Sequence, residues 1–162
     1  MSDPTTFDTA GFRRVLGRFA SGVTVVTAME DGVPVGFTCQ SFTSLSLEPP
    51  LVALAPAKQS TSWPRIRRAG VFCVNVLADT QQAVCQAFAA SGGDKFSGLA
   101  WEPASNGAPR LTGSLAHIDC ALLLAHDAGD HELVFGKVQD LAVGDGRPLL
   151  FYEGKFARLA AE

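Results

Sequence analysis

The sequence predicts a mainly β fold: a closed or partly closed antiparallel barrel, Greek-key-like in its connections, with about three peripheral helices. Three observations carry that expectation. Short runs dense in β-branched and aromatic residues, such as Val23–Ala28 and Val71–Leu77, recur along the chain. Turn signals such as Glu30-Asp31-Gly32 and Glu153-Gly154 join most of them. Strands outnumber helical stretches and do not alternate with them, which argues against a doubly wound sheet.

The first periodic segment runs from Asp8 to Ala20. Phe12, Val15, Leu16 and Phe19 fall at i, i+3, i+4 and i+7, one apolar helix stripe. Asp8 is the expected N-cap and Gly22 the expected left-handed residue at the end. Val23–Ala28 and Val33–Thr38 then form a hairpin about Glu30-Asp31-Gly32. A polar connection ends at Pro49-Pro50, and Leu51–Ala55 is a buried strand. Ser60, Thr61 and Ser62 offer N-cap hydroxyls to a short helix with Pro64 near its start and Gly70 at its end. Val71–Leu77 is the next strand.

Asp79 and Gln82 have the spacing of a capping box, opening a helix that stops at Gly92-Gly93. Phe96–Leu111, punctuated by glycine and proline, is expected to be loop. Leu115–Ala125 alternates, with Ala116, Ile118, Cys120, Leu122 and Leu124 on one face, the pattern of a half-buried strand. A tight turn at Asp127–Asp130 leads into a strand at Leu133–Val143. Gly144-Asp145-Gly146 then leads to Leu149–Tyr152, and Glu153-Gly154 to a last short strand.

With 162 residues, 47% of them hydrophobic and 18% charged, the chain reads as one domain over residues 1–162. A domain of that size buries roughly 70% of its unfolded surface. The formal net charge is −3, and the densest basic run, Arg65-Ile66-Arg67-Arg68, reads as a solvated helix face, so no nucleic-acid partner is expected. The apolar runs are far short of a membrane span and no secretory signal is expected. Cys39, Cys73, Cys85 and Cys120 lack C-x-x-C or zinc spacing and lie among apolar neighbours. They read as buried thiols in a reducing cytoplasm.

No G-x-G-x-x-G after a strand, P-loop, G-x-S-x-G elbow or H-E-x-x-H helix is present. Two classes of function remain: a binding module, or an enzyme whose cofactor carries the reaction. Hydride transfer through a flavin is such a reaction. It asks the protein for hydrogen-bonding groups along the isoalloxazine edge and a cradle for phosphate. Gly36–Ser44 packs five polar hydrogen-bonding side chains between apolar strands, and reads either as that edge or as a polar strand end and turn. Lys58-Gln59-Ser60-Thr61-Ser62 sets a lysine and three hydroxyls before a helix, and reads as an anion cradle or an ordinary N-cap.

A family resemblance joins these segments. Gly22–Thr27, Gly36–Val52, Asn75-Val76-Leu77, Asp94-Lys95-Phe96, Gly129-Asp130-His131 and Pro148–Tyr152 resemble, in this order, the flavin reductase-like family. The likeness runs from about Phe12 to Arg158 and is nearest to actinobacterial members. It implies an FMN-binding split barrel, a homodimer, and the NAD(P)H:flavin oxidoreductase that serves two-component monooxygenases. The implied cofactors are FAD or FMN with NADH or NADPH; the actinobacterial likeness favours FAD. NADH is favoured because no arginine is clearly placed for a 2′-phosphate.

Carried over by position, Gly36, Thr38, Cys39, Gln40, Ser41 and Ser44 belong to the flavin site, with residues 38–41 at the isoalloxazine edge, largely through backbone groups. Pro56, Ala57, Lys58, Gln59, Ser60 and Ser62 surround the ribityl chain and phosphate, and Lys95 lies near the flavin tail. His131 and Tyr152 fall on the nicotinamide side. Many relatives carry Asn or Ser where this chain has Gln40. None of these residues is expected to act as acid or base, because the cofactors exchange the hydride. The alternatives are a same-fold flavoprotein that retains FMN for electron transfer, and a non-enzymatic flavin-binding module.

Other singles read differently. His131, following Gly-Asp, is also an ordinary turn residue. His126, Asp127, Asp130 and His131 crowd one tight turn, which disfavours a metal site. His117 and Asp119 are expected on the polar face of their strand, toward solvent or a subunit contact. Trp63 and Trp101 read as packing residues, with Trp63 alternatively bordering the adenine end of FAD.

Overall fold

Seven antiparallel strands pair edge to edge, and their order decides where a site can form. The computed structural model describes residues 8–161. Helix α1 (Thr9–Leu16) opens with the Asp8 carboxylate accepting from the Ala10 N–H at 3.1 Å, the expected cap. It ends at Gly17, short of Ala20, and Gly22 belongs instead to the short strand β1 (Ser21–Gly22). No residue of α1 is buried, so Phe12, Val15 and Leu16, with Phe19 beyond them, face away from the core.

Strands β2 (Thr24–Glu30) and β3 (Val33–Cys39) form the predicted hairpin. Its two loop residues, Asp31 and Gly32, both take positive φ (49° and 77°), the backbone that matches the twist of a two-residue hairpin. The polar connection that follows contains a strand, β4 (Thr43–Leu47), paired with β5 (Pro50–Leu54). No residue of β4 is buried, and the leucines of its alternating run, Leu45 and Leu47, point outward. Helix α2 (Trp63–Ala69) has Pro64 in its first turn and ends at Gly70, whose φ of 73° is left-handed. Its entry is capped by the Ser60 hydroxyl, which accepts from the Trp63 N–H at 3.1 Å.

After β6 (Val71–Val76), a 3-10 turn at Asp79–Gln81 opens helix α3 (Gln82–Ala89). Gln81, rather than Gln82, folds back to accept from the Ala78 N–H at 2.9 Å. The segment expected to be loop carries a hairpin of β7 (Trp101–Pro103) and β8 (Pro109–Leu111). Three-residue strands show no readable periodicity, and long-range side-chain bonds hold β8 to the barrel. The buried Asn75 accepts from the Leu111 N–H at 2.8 Å, and the Thr27 hydroxyl donates to the Pro109 carbonyl at 2.5 Å.

Strands β9 (Ala116–Ala128) and β10 (His131–Val143) are longer than their sequence signals and meet at a two-residue turn with Gly129 at φ 69°. Strands β11 (Leu150–Tyr152) and β12 (Lys155–Ala157) close with β1 into a small second sheet.

The large sheet runs β3-β2-β6-β9-β10-β5-β4. Val26 and Val35 from one end pack into the same core as Val52 and Leu54 from the other, with Phe72 and Val134 between them. The sheet is therefore curled, with Trp63 and Ile66 of α2 packed into the same core. Each fully buried side chain of this size contributes roughly 1.5–3 kcal/mol. The sheet's two edge strands, β3 and β4, are consecutive in the chain, so residues 40–42 cross the gap between them.

Two polar expectations change. Asp119 is fully buried and held by Arg110, and the His117 Nε2 lies 2.9 Å from the Leu111 carbonyl oxygen, so neither faces solvent freely. The hairpin β7–β8 covers this face, and it was not legible in the sequence. The basic run on α2 is likewise engaged: Ile66 is core, Arg65 and Arg68 both hold Glu30, and Arg67 holds Glu132. All four cysteines are buried, as read.

Candidate functional site

The pairing of β3 with β2 stops at Cys39, and that of β4 with β5 begins at Thr43. Backbone groups of residues 40–42 therefore lie outside the sheet ladder. Ser41 straps the crossing to the end of β5: its hydroxyl accepts from the Ala55 N–H at 2.9 Å and donates to the Ala55 carbonyl at 3.1 Å. Beside this crossing opens a cavity of about 660 Å³, within the range typical of small-molecule sites, roughly 300–1,000 Å³.

The cavity gathers most of the candidate residues. Thr38, Cys39, Gln40 and Ser41 form one wall; Pro56, Ala57, Gln59, Ser60 and Ser62 form another; Lys95 and His131 complete it. The second wall is stitched to the β9–β10 turn through its backbone. The Lys58 N–H donates to the Asp130 carbonyl at 2.9 Å, and the Glu132 N–H donates to the Pro56 carbonyl at 3.0 Å. His131 Nδ1 lies 2.6 Å from Asp130 Oδ1, and that hydrogen bond holds the Asp130 carboxyl below its ordinary range.

Four candidates fall outside this cavity. Gly36 lines a neighbouring cavity, and Ser44 lies exposed on β4 opposite Val52. The Lys58 ammonium turns to Asp127 at 3.2 Å, in a separate hollow beside Trp63 and Glu132. Tyr152 lies on β11 beside Arg18, which pairs with Glu153 at 2.8 Å. Trp63 is core, its indole N–H donating to Glu132, so it does not border the main cavity.

Side-chain bonding narrows what each residue offers. The Thr38 hydroxyl donates to the Cys85 carbonyl at 2.6 Å, tying β3 to α3. The Cys39 thiol is buried, which pushes it up, and its carbonyl accepts from Thr24 at 2.6 Å. Lys95 Nζ donates to the carbonyls of Gly36 at 3.3 Å and Phe88 at 3.2 Å, and partial burial lowers its affinity for the proton. The sequence reading missed the part of the wall given by Phe88, Ala89, Ala90 and Ser91. Phe88 reads as core, and the small residues after it have no chemistry of their own to mark them.

The arrangement fits a flavin. The unladdered backbone at residues 40–42 suits a heteroaromatic edge of mixed donors and acceptors, and the hydroxyls with Lys95 suit a polar, anionic tail.

Comparison with known proteins bears on the same segments. Residues 16–160 match the model of the flavin reductase like domain. The reductase subunit HsaB of a flavin-dependent monooxygenase from Rhodococcus jostii is 55% identical over 150 residues, 92% of this chain and 77% of that protein. The crystal structure of nitrilotriacetate monooxygenase component B from Mycobacterium thermoresistibile superposes with a TM-score of 0.92 at 50% identity, covering 94% of this chain and 87% of that one. The NADH:FAD oxidoreductase SgcE6 of Streptomyces globisporus, in complex with NAD and FAD fragments, superposes with a TM-score of 0.90 at 36% identity, covering 99% and 96%. On fold, site and kinship together, the chain belongs to the flavin reductase-like family and is an NAD(P)H-dependent flavin reductase.

Proposed function

We propose that the chain uses NADH to reduce FAD and releases the reduced flavin to a separate monooxygenase. The observation that carries this reading is the cavity beside residues 40–42, built from unladdered backbone, hydroxyls and one lysine. Bound flavin supplies the redox chemistry, accepting hydride at N5 from the nicotinamide. The protein's part is to orient. Residues 38–41 hold the isoalloxazine edge, Pro56, Ala57, Gln59, Ser60 and Ser62 flank the ribityl chain and phosphate, and Lys95 meets the negative charge of the tail. Gly36 and Ser44 support this wall from outside it, and the backbone of Lys58 fixes the loop to Asp130. His131 offers a ring nitrogen to the nicotinamide carboxamide from the opposite wall, and Tyr152 serves nicotinamide docking from β11.

Anaerobic mixing of protein, NADH and FAD tests this, followed by bleaching of the flavin absorbance. Faster bleaching than in a protein-free control is expected; an equal rate would refute the reading. Recovery of colourless protein is expected, because reduced flavin must leave.

The working unit is a homodimer in the cytoplasm. Phe12, Val15, Leu16 and Phe19 present an apolar stripe, and Leu47, Leu141 and Val143 are also exposed. That much apolar surface calls for a partner. Sedimentation at micromolar concentration should give twice the chain mass.

A further inference from the structure

A second cavity of about 650 Å³ adjoins the first, and Thr61, Ser62 and Lys95 line both. A ligand reaching past Lys95 therefore passes from one into the other. Val33 and Pro34 of β3 give the second cavity an apolar wall, while Arg65 and Asp94 give it charge. Arg65 is fixed in place. Its Nε donates to Glu30 Oε2 at 2.5 Å, while Arg68 holds the other oxygen of Glu30 at 2.8 Å. That pairing uses one of the five guanidinium N–H groups.

We propose that this second cavity receives the adenylate half of FAD, and that Arg65, positioned by Glu30, selects FAD over FMN. The proposal rests on the flavin occupying the first cavity. FMN ends in one phosphate, whereas FAD continues through a pyrophosphate to adenosine. The continuation needs cationic donors at the junction and beyond it, which Lys95 and Arg65 provide. Adenine needs an apolar face and an acceptor for its amino group. Val33 and Pro34 supply the first and the Asp94 carboxylate the second. NADH carries the same adenylate chemistry, but His131, the candidate nicotinamide contact, lines only the first cavity.

Calorimetric titration with FAD and with FMN tests this in wild type, Arg65→Ala, Arg65→Lys and Glu30→Gln. Wild type should bind FAD about tenfold more tightly than FMN or better, the scale of one charge-assisted hydrogen bond. Arg65→Ala should bring FAD affinity to the FMN level and leave FMN binding unchanged, which also shows that the variant is folded. Arg65→Lys should keep part of the preference, and Glu30→Gln should reduce it. Equal affinity of wild type for both flavins would overturn the proposal while leaving the flavin reading intact. So would equal weakening of both flavins by Arg65→Ala, or a raised KM for NADH with FAD binding unchanged. If wild type binds neither flavin, both readings fail.

Discussion

Phe88 packs against Gly36 so closely that a Cβ on Gly36 would stand 2.8 Å from Phe88 Cε1 and 2.9 Å from the Val26 carbonyl oxygen. Real Cβ contacts are not that short, so α3 rests on β3 only because position 36 has no side chain. Gly36→Ala should cost about 1–3 kcal/mol, the range for overpacking a core. It should also weaken flavin binding, because α3 carries Ala89 into the cavity wall. Urea denaturation and flavin titration measure the two effects, and Phe88→Leu in the same chain should restore part of the stability.

Asp119 is fully buried, and Arg110 reaches both of its oxygens while also meeting Asp140 at 3.0 Å. Removing Arg110 leaves the buried Asp119 carboxylate uncompensated, whereas Arg110 without Asp119 still has Asp140. Arg110→Ala should therefore cost about 3–5 kcal/mol by chemical denaturation. The double replacement Arg110→Met with Asp119→Leu should cost less than the single one.

Hydrogen bonds from Arg65 and Arg68 hold the Glu30 carboxyl below its ordinary value of 4.5. A lowered folded-state value means that the stabilisation is fully present above the unfolded value and lost as pH falls through the folded one. The denaturation midpoint of wild type should fall below about pH 4.5, and Glu30→Gln should flatten that acid limb. Parallel limbs would contradict the assignment.

Burial raises all four thiols, with Cys120 pushed up to about 12. Only the thiolate is nucleophilic. A thiol reagent at pH about 8, below the free-cysteine value of about 8.5, should react slowly with native protein. In denaturant it should titrate four groups quickly.

His131→Ala should raise the KM for NADH about fivefold, the scale of one hydrogen bond, with flavin affinity unchanged. Equal loss of both would contradict a role confined to nicotinamide.

The hairpins at Asp31-Gly32 and Glu153-Gly154 were legible because their turns need particular backbone that few residues supply. Helix α2 was legible from Pro64 and Gly70. Strand β4 was not, because an unburied edge strand of mostly serine, threonine and outward leucine has no inward apolar row. The hairpin β7–β8 was hidden for a different reason: Asn75 and Thr27, far away in sequence, hold it. The same split applies to the site. Local motifs pointed to Gly36–Ser44 and Lys58–Ser62, and the family resemblance added Pro56 and Ala57, but the wall from α3 arises only through packing on Gly36. Lys58 joins its loop to the β9–β10 turn through its backbone N–H, while its ammonium turns to Asp127.

Ser41 and Ala55 meet where the two ends of the curled sheet come together. The pocket is thus a seam rather than a hollow in a finished wall. It exists only once both margins have arrived, residues 38–41 from one and Ala55 and Pro56 from the other. Occupancy by a ligand therefore acts as a clasp: it reports closure, and by mass action it reinforces closure.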